Sequence, residues 1–278
     1  MKRSTVILLA YICLTLGLSF TAVLLSGCGR TADYGICIIS SNGKVEANGG
    51  EFFAMHSIVK FPQALYVAGC MSRNRIALDS SVTVHKTELM QDTWSPMLEA
   101  MGDTEEFSIR ELLRLSLVES DNNACDLLFE LFGMPDSVDA FLKGLGFHDI
   151  NVAATERQMH DDPVRAAGNC CTPAEMARLL LWFNEHKDDN AHYREIWGMM
   201  SACNTGAERI PAVFGEDCRI VHKTGTGFSP EDGLPQMNDA GIVTFPDGHI
   251  LAVAVFVPHP NSQDDLSEII SQKLKDLE

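Results

Sequence analysis

"DAGIVTFPDGHILAVAVFV", Asp239 to Val257, decides the fold. Two apolar runs of strand length flank Pro246-Asp247-Gly248, a tripeptide that favours a turn. Short runs rich in Val and Ile, bounded by turn residues, read as a hairpin. "RIVHKTGT", Arg219 to Thr226, supplies a third strand just before them. "YGICIIS", Tyr34 to Ser40, is a strand at the other end of the chain, and "SNGK" after it predicts a hairpin turn with Asn-Gly at its centre. Between these strands the signals are helical. "HSIVKFPQALYVA", His56 to Ala68, opens one helix, with Ser57 at its start. Ser108 and Glu111 form a capping-box pattern ahead of "LLRLSL", and Asn123 to Phe132 fits a further helix. Thr172, Pro173 and Glu175 stand as N-cap, first-turn proline and capping-box acid of another. "DDLSEIISQKLKDL" is a final amphipathic helix. The order is strand, helical block, three strands, helix. The first strand can pair with the last ones in one antiparallel sheet, the helical middle makes a second lobe, and a cleft between them is the place for a site. The class is α/β, of the α+β type.

The 278 residues suffice for one large domain, and 46% hydrophobic with 21% charged residues is an ordinary globular balance. A formal charge of −17 excludes nucleic acid as a partner, because phosphate binding needs clustered Lys and Arg. Lys2 and Arg3 precede the uncharged run "VILLAYICLTLGLSFTAVLL", Val6 to Leu25, which ends in "LSGC", Leu25 to Cys28. This is an export lead. "LSGC" resembles the lipobox of bacterial lipoproteins, which implies cleavage before Cys28 and its acylation. An uncleaved membrane anchor and an ordinary cleaved signal are the alternatives. Residues 1–28 are therefore set apart from a catalytic domain at 29–278, expected in the periplasm on a membrane-anchored lipoprotein.

Cys13 lies in the lead, and seven cysteines follow Cys28: Cys37, Cys70, Cys125, Cys170, Cys171, Cys203 and Cys218. An odd number cannot all pair internally, and no C-x-x-C spacing supports a zinc or thioredoxin-like site. Cys37, Cys70 and Cys125 sit in apolar patterns as small core residues. For Cys170-Cys171 loop packing is expected, with a redox pair as the alternative.

Three short patterns carry chemistry. Ser57 and Lys60 lie one turn apart on one helix face, where a hydroxyl meets the partial positive charge of a helix start and a desolvated amine can take its proton. Taken alone, they are as well read as an N-cap and a lysine that reaches water. "SDN", Ser120 to Asn122, is by itself a helix cap, and "KTG", Lys223 to Gly225, a lysine on a strand entering a glycine bend. Together and in this order, S-x-x-K, S-D-N and K-T-G are the signature of class A β-lactamases and penicillin-binding proteins.

The chain resembles the class A serine β-lactamases, and within them the CfxA/PER-like, extended-spectrum branch. "SIVKFPQALYVA" is similar to that branch's nucleophile helix, and "WSP", Trp94 to Pro96, to the aromatic-Ser-Pro at the cleft rim. "SDNNACD" is similar to its longer second motif, "ERQMH", Glu156 to His160, to its omega-loop E-x-x-M-H, and "HKTGTGF" to its third motif. The resemblance runs from about Tyr34 to the C-terminus. It departs in one place: the family has a helix before the first strand, and here few residues separate Cys28 from Tyr34. It implies the β-lactamase/DD-peptidase-like fold, a five-stranded antiparallel sheet flanked by helices beside an all-helical lobe.

The resemblance also implies roles. Ser57 is the nucleophile that opens the lactam ring, and the N–H groups of Ser57 and Thr226 form the oxyanion hole. Ser120 protonates the leaving nitrogen, with Lys60 linking it to Ser57, and either Lys60 or Glu156 takes the serine proton during acylation. Lys223, Thr224, Gly225 and Thr226 form the strand that binds the substrate carboxylate. Asn122 holds the side-chain amide, Trp94 is an apolar wall, and Glu156 holds the hydrolytic water. His160 either orients that water or packs the loop. Gly227 is expected to leave room for bulky oxyimino side chains. No cofactor and no metal are needed, the substrate is a small β-lactam, and a monomer is expected. Two rivals are a D-alanyl-D-alanine peptidase, which would lack the omega-loop glutamate, and a catalytically inactive envelope relative.

Overall fold

The computed structural model describes residues 32–262 and 265–277. The lead, its lipobox and the question of a helix before the first strand lie outside them. Five strands form the main sheet: β1 (Gly35–Ser40), β2 (Gly43–Ala47), β3 (Arg219–Phe228), β4 (Pro235–Thr244) and β5 (Ile250–Pro258), in the order β2-β1-β5-β4-β3 and antiparallel throughout. The chain's two ends therefore meet in the middle of the sheet, where Gly35 faces Phe256 and Ser40 faces Leu251.

β5 shows why these sequences form this sheet. Successive side chains of a strand point to opposite faces. Ala252, Ala254 and Phe256 join the core shared with the helices, while Leu251, Val253, Val255 and Val257 join a second core on the outer face. The small residues let α5 (Pro173–His186) approach the inner face, and Leu266 and Ile270 of α7 (Asp265–Leu274) help to cover the outer one. Both faces are buried, so the strand reads as one continuous apolar run.

The helical lobe is built around α1 (Lys60–Asn74), which buries Phe61, Leu65, Val67, Ala68 and Met71 against α2 (Ile109–Val118), α3 (Asn122–Phe132), α4 (Pro135–Gly144) and α6 (Ala191–Ser201). The α-helix starts at Lys60, not at Ser57. His56–Val59 is a 3₁₀ turn without a side-chain cap. The cause is Pro62, whose ring would meet the carbonyl of Ile58 if the α-helical ladder ran through it. The first hairpin turn is also displaced by one residue. Ser40 pairs with Gly43, so Ser41-Asn42 is the loop, and Ser40 Oγ accepts from Asn42 N at 3.1 Å. The capping box of Ser108 and Glu111 forms as expected. At α5 only half of the box forms: Thr172 Oγ1 accepts from Glu175 N, but Glu175 turns its carboxylate to His148 N and Arg178. Cys37, Cys70 and Cys125 are buried, and Cys170-Cys171 pack as a two-residue strand. Among the described residues no helix is long and apolar enough to cross a membrane.

Candidate active site

Edge strand β3 and the 3₁₀ turn carrying Ser57 come within touching distance. A Cβ on Gly225 would stand 2.4 Å from Met55 O, so only glycine allows this approach. Asn238 Nδ2 ties the same segment to β4 by donating to Ala54 O at 2.8 Å. As an edge strand, β3 leaves alternate N–H and C=O groups unpaired by the sheet, facing the cleft.

Lys60 is fully buried, and its Nζ lies 2.9 Å from Ser57 Oγ, 2.7 Å from Asn122 Oδ1 and 2.6 Å from Glu156 Oε1. A desolvated ammonium is costly unless paired, and here Glu156, itself buried, pairs it. Among the described residues that ion pair is the one partner of Glu156 Oε1. Two local devices place Glu156. Thr155 and Gln158 form a capping box at the start of the short helix Glu156–Asp161. Asp126 accepts from Glu156 N at 2.7 Å and from Arg157 N at 2.9 Å. Burial pushes the Asp126 carboxyl up to about 6.

The middle residue of "SDN" is structural. Asp121 is fully buried, caps α3 through Ala124 N, and holds Met97 N and Ser95 Oγ of the neighbouring loop. Its two neighbours point into the cleft region. Ser120, held in the left-handed region with φ 61°, hydrogen-bonds to Lys223 Nζ at 2.9 Å. Asn122 spends Oδ1 on Lys60 and donates Nδ2 to Thr93 Oγ1. The hydrogen-bond partner of Ser120 is therefore Lys223, where the resemblance implied a link through Lys60; Lys60 reaches Ser57, Asn122 and Glu156. Lys223 is fully buried, and burial, then the charge of Lys60, pulls its ammonium down to about 7.

The Thr224 hydroxyl meets that of Thr205 at 2.6 Å. Exposed Thr226 accepts from Arg209 Nη2 at 2.8 Å, and Arg209 Nη1 also donates to Gly225 O and Asn238 O. Buried Arg209 is thus a site residue that the sequence did not reveal: it comes from a loop with no local pattern to mark it. Asp126 and Thr155 were missed as well, although T-x-x-Q was a legible cap signal.

A cleft of about 290 Å³ is lined by Ser57, Asn122, Glu156, His160, Thr226 and Phe228, among others. Trp94 stands 61% exposed, its Nε1 donating to Glu119 O. His160 reaches across to Asp92, with Nε2 3.2 Å from the carboxylate. Gly227 does not open space for a substrate. A Cβ there would stand 2.3 Å from His56 Nδ1, so the missing side chain makes room for the buried His56 ring, which is fixed by Gln236 at 2.7 Å. Among the described residues no group of three or more His, Cys, Asp or Glu is arranged to hold a metal ion.

The family model described as "Beta-lactamase enzyme family" matches residues 19–276. Beta-lactamase VEB-1 of Pseudomonas aeruginosa is 31% identical over 246 residues, covering 87% of this chain and 82% of that protein. Extended-spectrum beta-lactamase PER-1 of the same species is 32% identical over 222 residues, covering 79% and 72%. The crystal structure of a beta-lactamase from Chitinophaga pinensis DSM 2588 superposes with a TM-score of 0.81 at 30% identity, over 93% of this chain and 97% of that one. With this fold, these neighbours and a serine-lysine-glutamate centre at the mouth of the cleft, the chain belongs to the beta-lactamase enzyme family, within its class A.

Proposed function

We propose that this serine β-lactamase opens β-lactam rings by a two-stage mechanism in which the two walls of the cleft divide the work. The observation that carries the reading is the contact of Lys60 Nζ with both Ser57 Oγ and Glu156 Oε1. Ser57 Oγ attacks the lactam carbonyl carbon. Its proton moves to Lys60 as Lys60 passes one to Glu156, so the buried pair gains one positive charge as the oxyanion gains a negative one. The oxyanion that forms is met by the N–H groups of Ser57 and Thr226, a donor pair worth about 3 kcal/mol per donor. The ring C–N bond then breaks, Ser120 gives its proton to the nitrogen, and the extra proton on the Lys60–Glu156 pair returns to Ser120, leaving Glu156 ionised and Lys223 charged. Lys223, Thr224 and Thr226, steadied by Arg209, hold the substrate carboxylate. Asn122 and Trp94 contact the acyl side chain. Glu156 takes a proton from the water that attacks the ester carbon, the bond to Ser57 Oγ breaks, and the proton returns to Ser57 Oγ through Lys60, with His160 at the rim of the same space.

The rival is a penicillin-binding peptidase, and Glu156 separates the two. Glu156→Gln keeps the shape and removes the base. With benzylpenicillin, this variant is expected to acylate slowly, with Lys60 as the remaining proton acceptor, and to accumulate one intact drug mass on Ser57, while the wild type clears the adduct and turns over a chromogenic cephalosporin. A wild type that stays acylated for many minutes supports the peptidase instead. Cephalosporins are proposed as substrates beside penicillins; PER-1 is named an extended-spectrum enzyme.

We also infer export to the envelope as a lipoprotein, from Lys2, Arg3, the apolar run and "LSGC". The mature protein is expected to begin at an acylated Cys28. A mass spectrum of the mature N-terminus without lipid on Cys28 ends that reading.

A further inference from the structure

On β3, His222 and Thr224 are two residues apart and share a face, and Asp239, opposite Thr224 in register, shares it too. Buried His222 turns Nδ1 to both Asp239 oxygens, at 3.0 and 3.1 Å. Gly241, opposite His222, leaves room for the ring, since a Cβ there would lie 2.6 Å from His222 Cβ. On the same face His222 also interacts with the Cys203 thiol. Cys203 Sγ also meets Thr205 Oγ1 at 3.3 Å, and Thr205 Oγ1 meets Thr224 Oγ1 at 2.6 Å. This cysteine-histidine-aspartate cluster has no part in the hydrolysis described above. Two hydrogen bonds connect it to the strand assigned to the substrate carboxylate.

We propose that Cys203, held by His222 and backed by Asp239, is a covalent modification site for soft carbon electrophiles, and that an adduct there weakens carboxylate binding through Thr205 and Thr224. The second half rests on the carboxylate assignment above; the first does not. Three arguments support it. The first is access: Cys203 is half-buried between exposed Ala202 and Asn204. Cys37, Cys125 and Cys171 are sealed, and burial pushes the Cys37 thiol up to about 12. The second is charge. Burial raises the Cys203 thiol, but the hydrogen bond and charge of His222, then the charge of Lys223, outweigh it and bring it down to about 7. Burial likewise pulls His222 down, and Asp239 outweighs it, carrying the imidazole to about 10. Around neutral pH a large share of thiolate thus faces a charged imidazolium, the arrangement that activates a cysteine. The third is consequence. An added group must displace Thr205, and Thr205 is bonded to the Thr224 hydroxyl.

The probe is iodoacetamide. The thiol proton leaves to water, the sulfur attacks the methylene carbon, an S–C bond forms, the C–I bond breaks, and iodide departs. Short pulses on the intact protein between pH 5.5 and 9, read by peptide mass spectrometry, give a rate for each cysteine. Cys203 is expected to label first, ahead of half-buried Cys218, with its rate half-maximal near pH 7. His222→Asn should slow labelling of Cys203 about tenfold at pH 7 and leave Cys218 unchanged, because the thiol returns toward its usual pKa. Labelled wild type should show a KM for a chromogenic cephalosporin raised about tenfold, while Cys203→Ser treated in parallel keeps its KM. A Cys203 that stays unlabelled while Cys218 reacts, or that shares the Cys218 profile, overturns the site. Full labelling with an unchanged KM overturns the coupling. The labelling rate needs no substrate, so it stands or falls apart from the hydrolysis.

Discussion

Two buried lysines face each other across the cleft, and their charges are handled differently. On the helical wall, Lys60 meets a carboxylate, Glu156, at 2.6 Å. On the sheet wall, Lys223 meets a hydroxyl and a carbonyl, Ser120 Oγ and Thr224 O, both at 2.9 Å. Among the described residues no carboxylate forms an ion pair with Lys223. Both side chains are fully buried. The helical wall is therefore electrically complete before substrate arrives, whereas the sheet wall holds a cation whose counter-ion is missing. A β-lactam carries a carboxylate beside its ring nitrogen, and in the proposed mechanism that anion completes the sheet wall. The difference assigns proton movement to the self-sufficient wall and anion recognition to the deficient one.

The largest test exchanges each lysine for methionine. Lys60→Met strands Glu156 as a buried unpaired charge. Breaking a buried pair in this way costs about 3–5 kcal/mol of stability, and kcat/KM is expected to fall by about 10⁴ with loss of the proton acceptor. Lys223→Met removes a buried cation that no carboxylate balances. Its stability is expected to match or exceed that of the wild type, while KM rises about 10- to 100-fold, the loss of one charge-assisted hydrogen bond of about 1.5–3 kcal/mol. Denaturant unfolding and steady-state kinetics on both variants check this. If Lys223→Met proves as unstable as Lys60→Met, the two walls are alike and the comparison fails.

How much of this was legible in the sequence follows the same division. The fold was legible because a central strand such as β5 is apolar on both faces and helices carry their caps locally, as Ser108 and Glu111 do. The catalytic patterns were legible because each one lies within a single turn or strand. What the sequence hid was contact between distant elements. Arg209 reaches Thr226 from a loop, and Asp126 reaches the backbone of Glu156 from another helix. Neither has a local period or spacing to announce it. Gly227 was misread for a related reason. A glycine shows that a side chain is absent but not what fills its place, and here His56 fills it. The partner of Ser120 was misassigned because both lysines lie in motifs, and only the packing shows which one it meets.

The smaller test reads the missing counter-ion through pH. In the free enzyme, burial and then the charge of Lys60 bring Lys223 to about 7, below its ordinary 10.5. The sign follows from proton counts. Between about 7 and 10.5 the unfolded chain binds a proton at this lysine that the folded chain has released, so this group makes stability rise with pH across that window. Substrate binding is expected to act in the opposite direction, because the proposed carboxylate contact needs the charged ammonium. As pH rises through 7 the free enzyme loses that charge, and KM for an anionic β-lactam is expected to climb about tenfold by pH 8, as one group titrating at 7 requires. Once bound, the carboxylate holds the proton on Lys223, so kcat should stay level over the same range. Lys223→Arg cannot titrate there, and its KM should be flat with pH even if raised throughout. Initial rates from pH 6 to 9 on both proteins separate the outcomes. A wild-type KM that is flat over this range, or an arginine variant whose KM climbs in parallel, would mean that the sheet wall has a counter-ion of its own and does not await the substrate's.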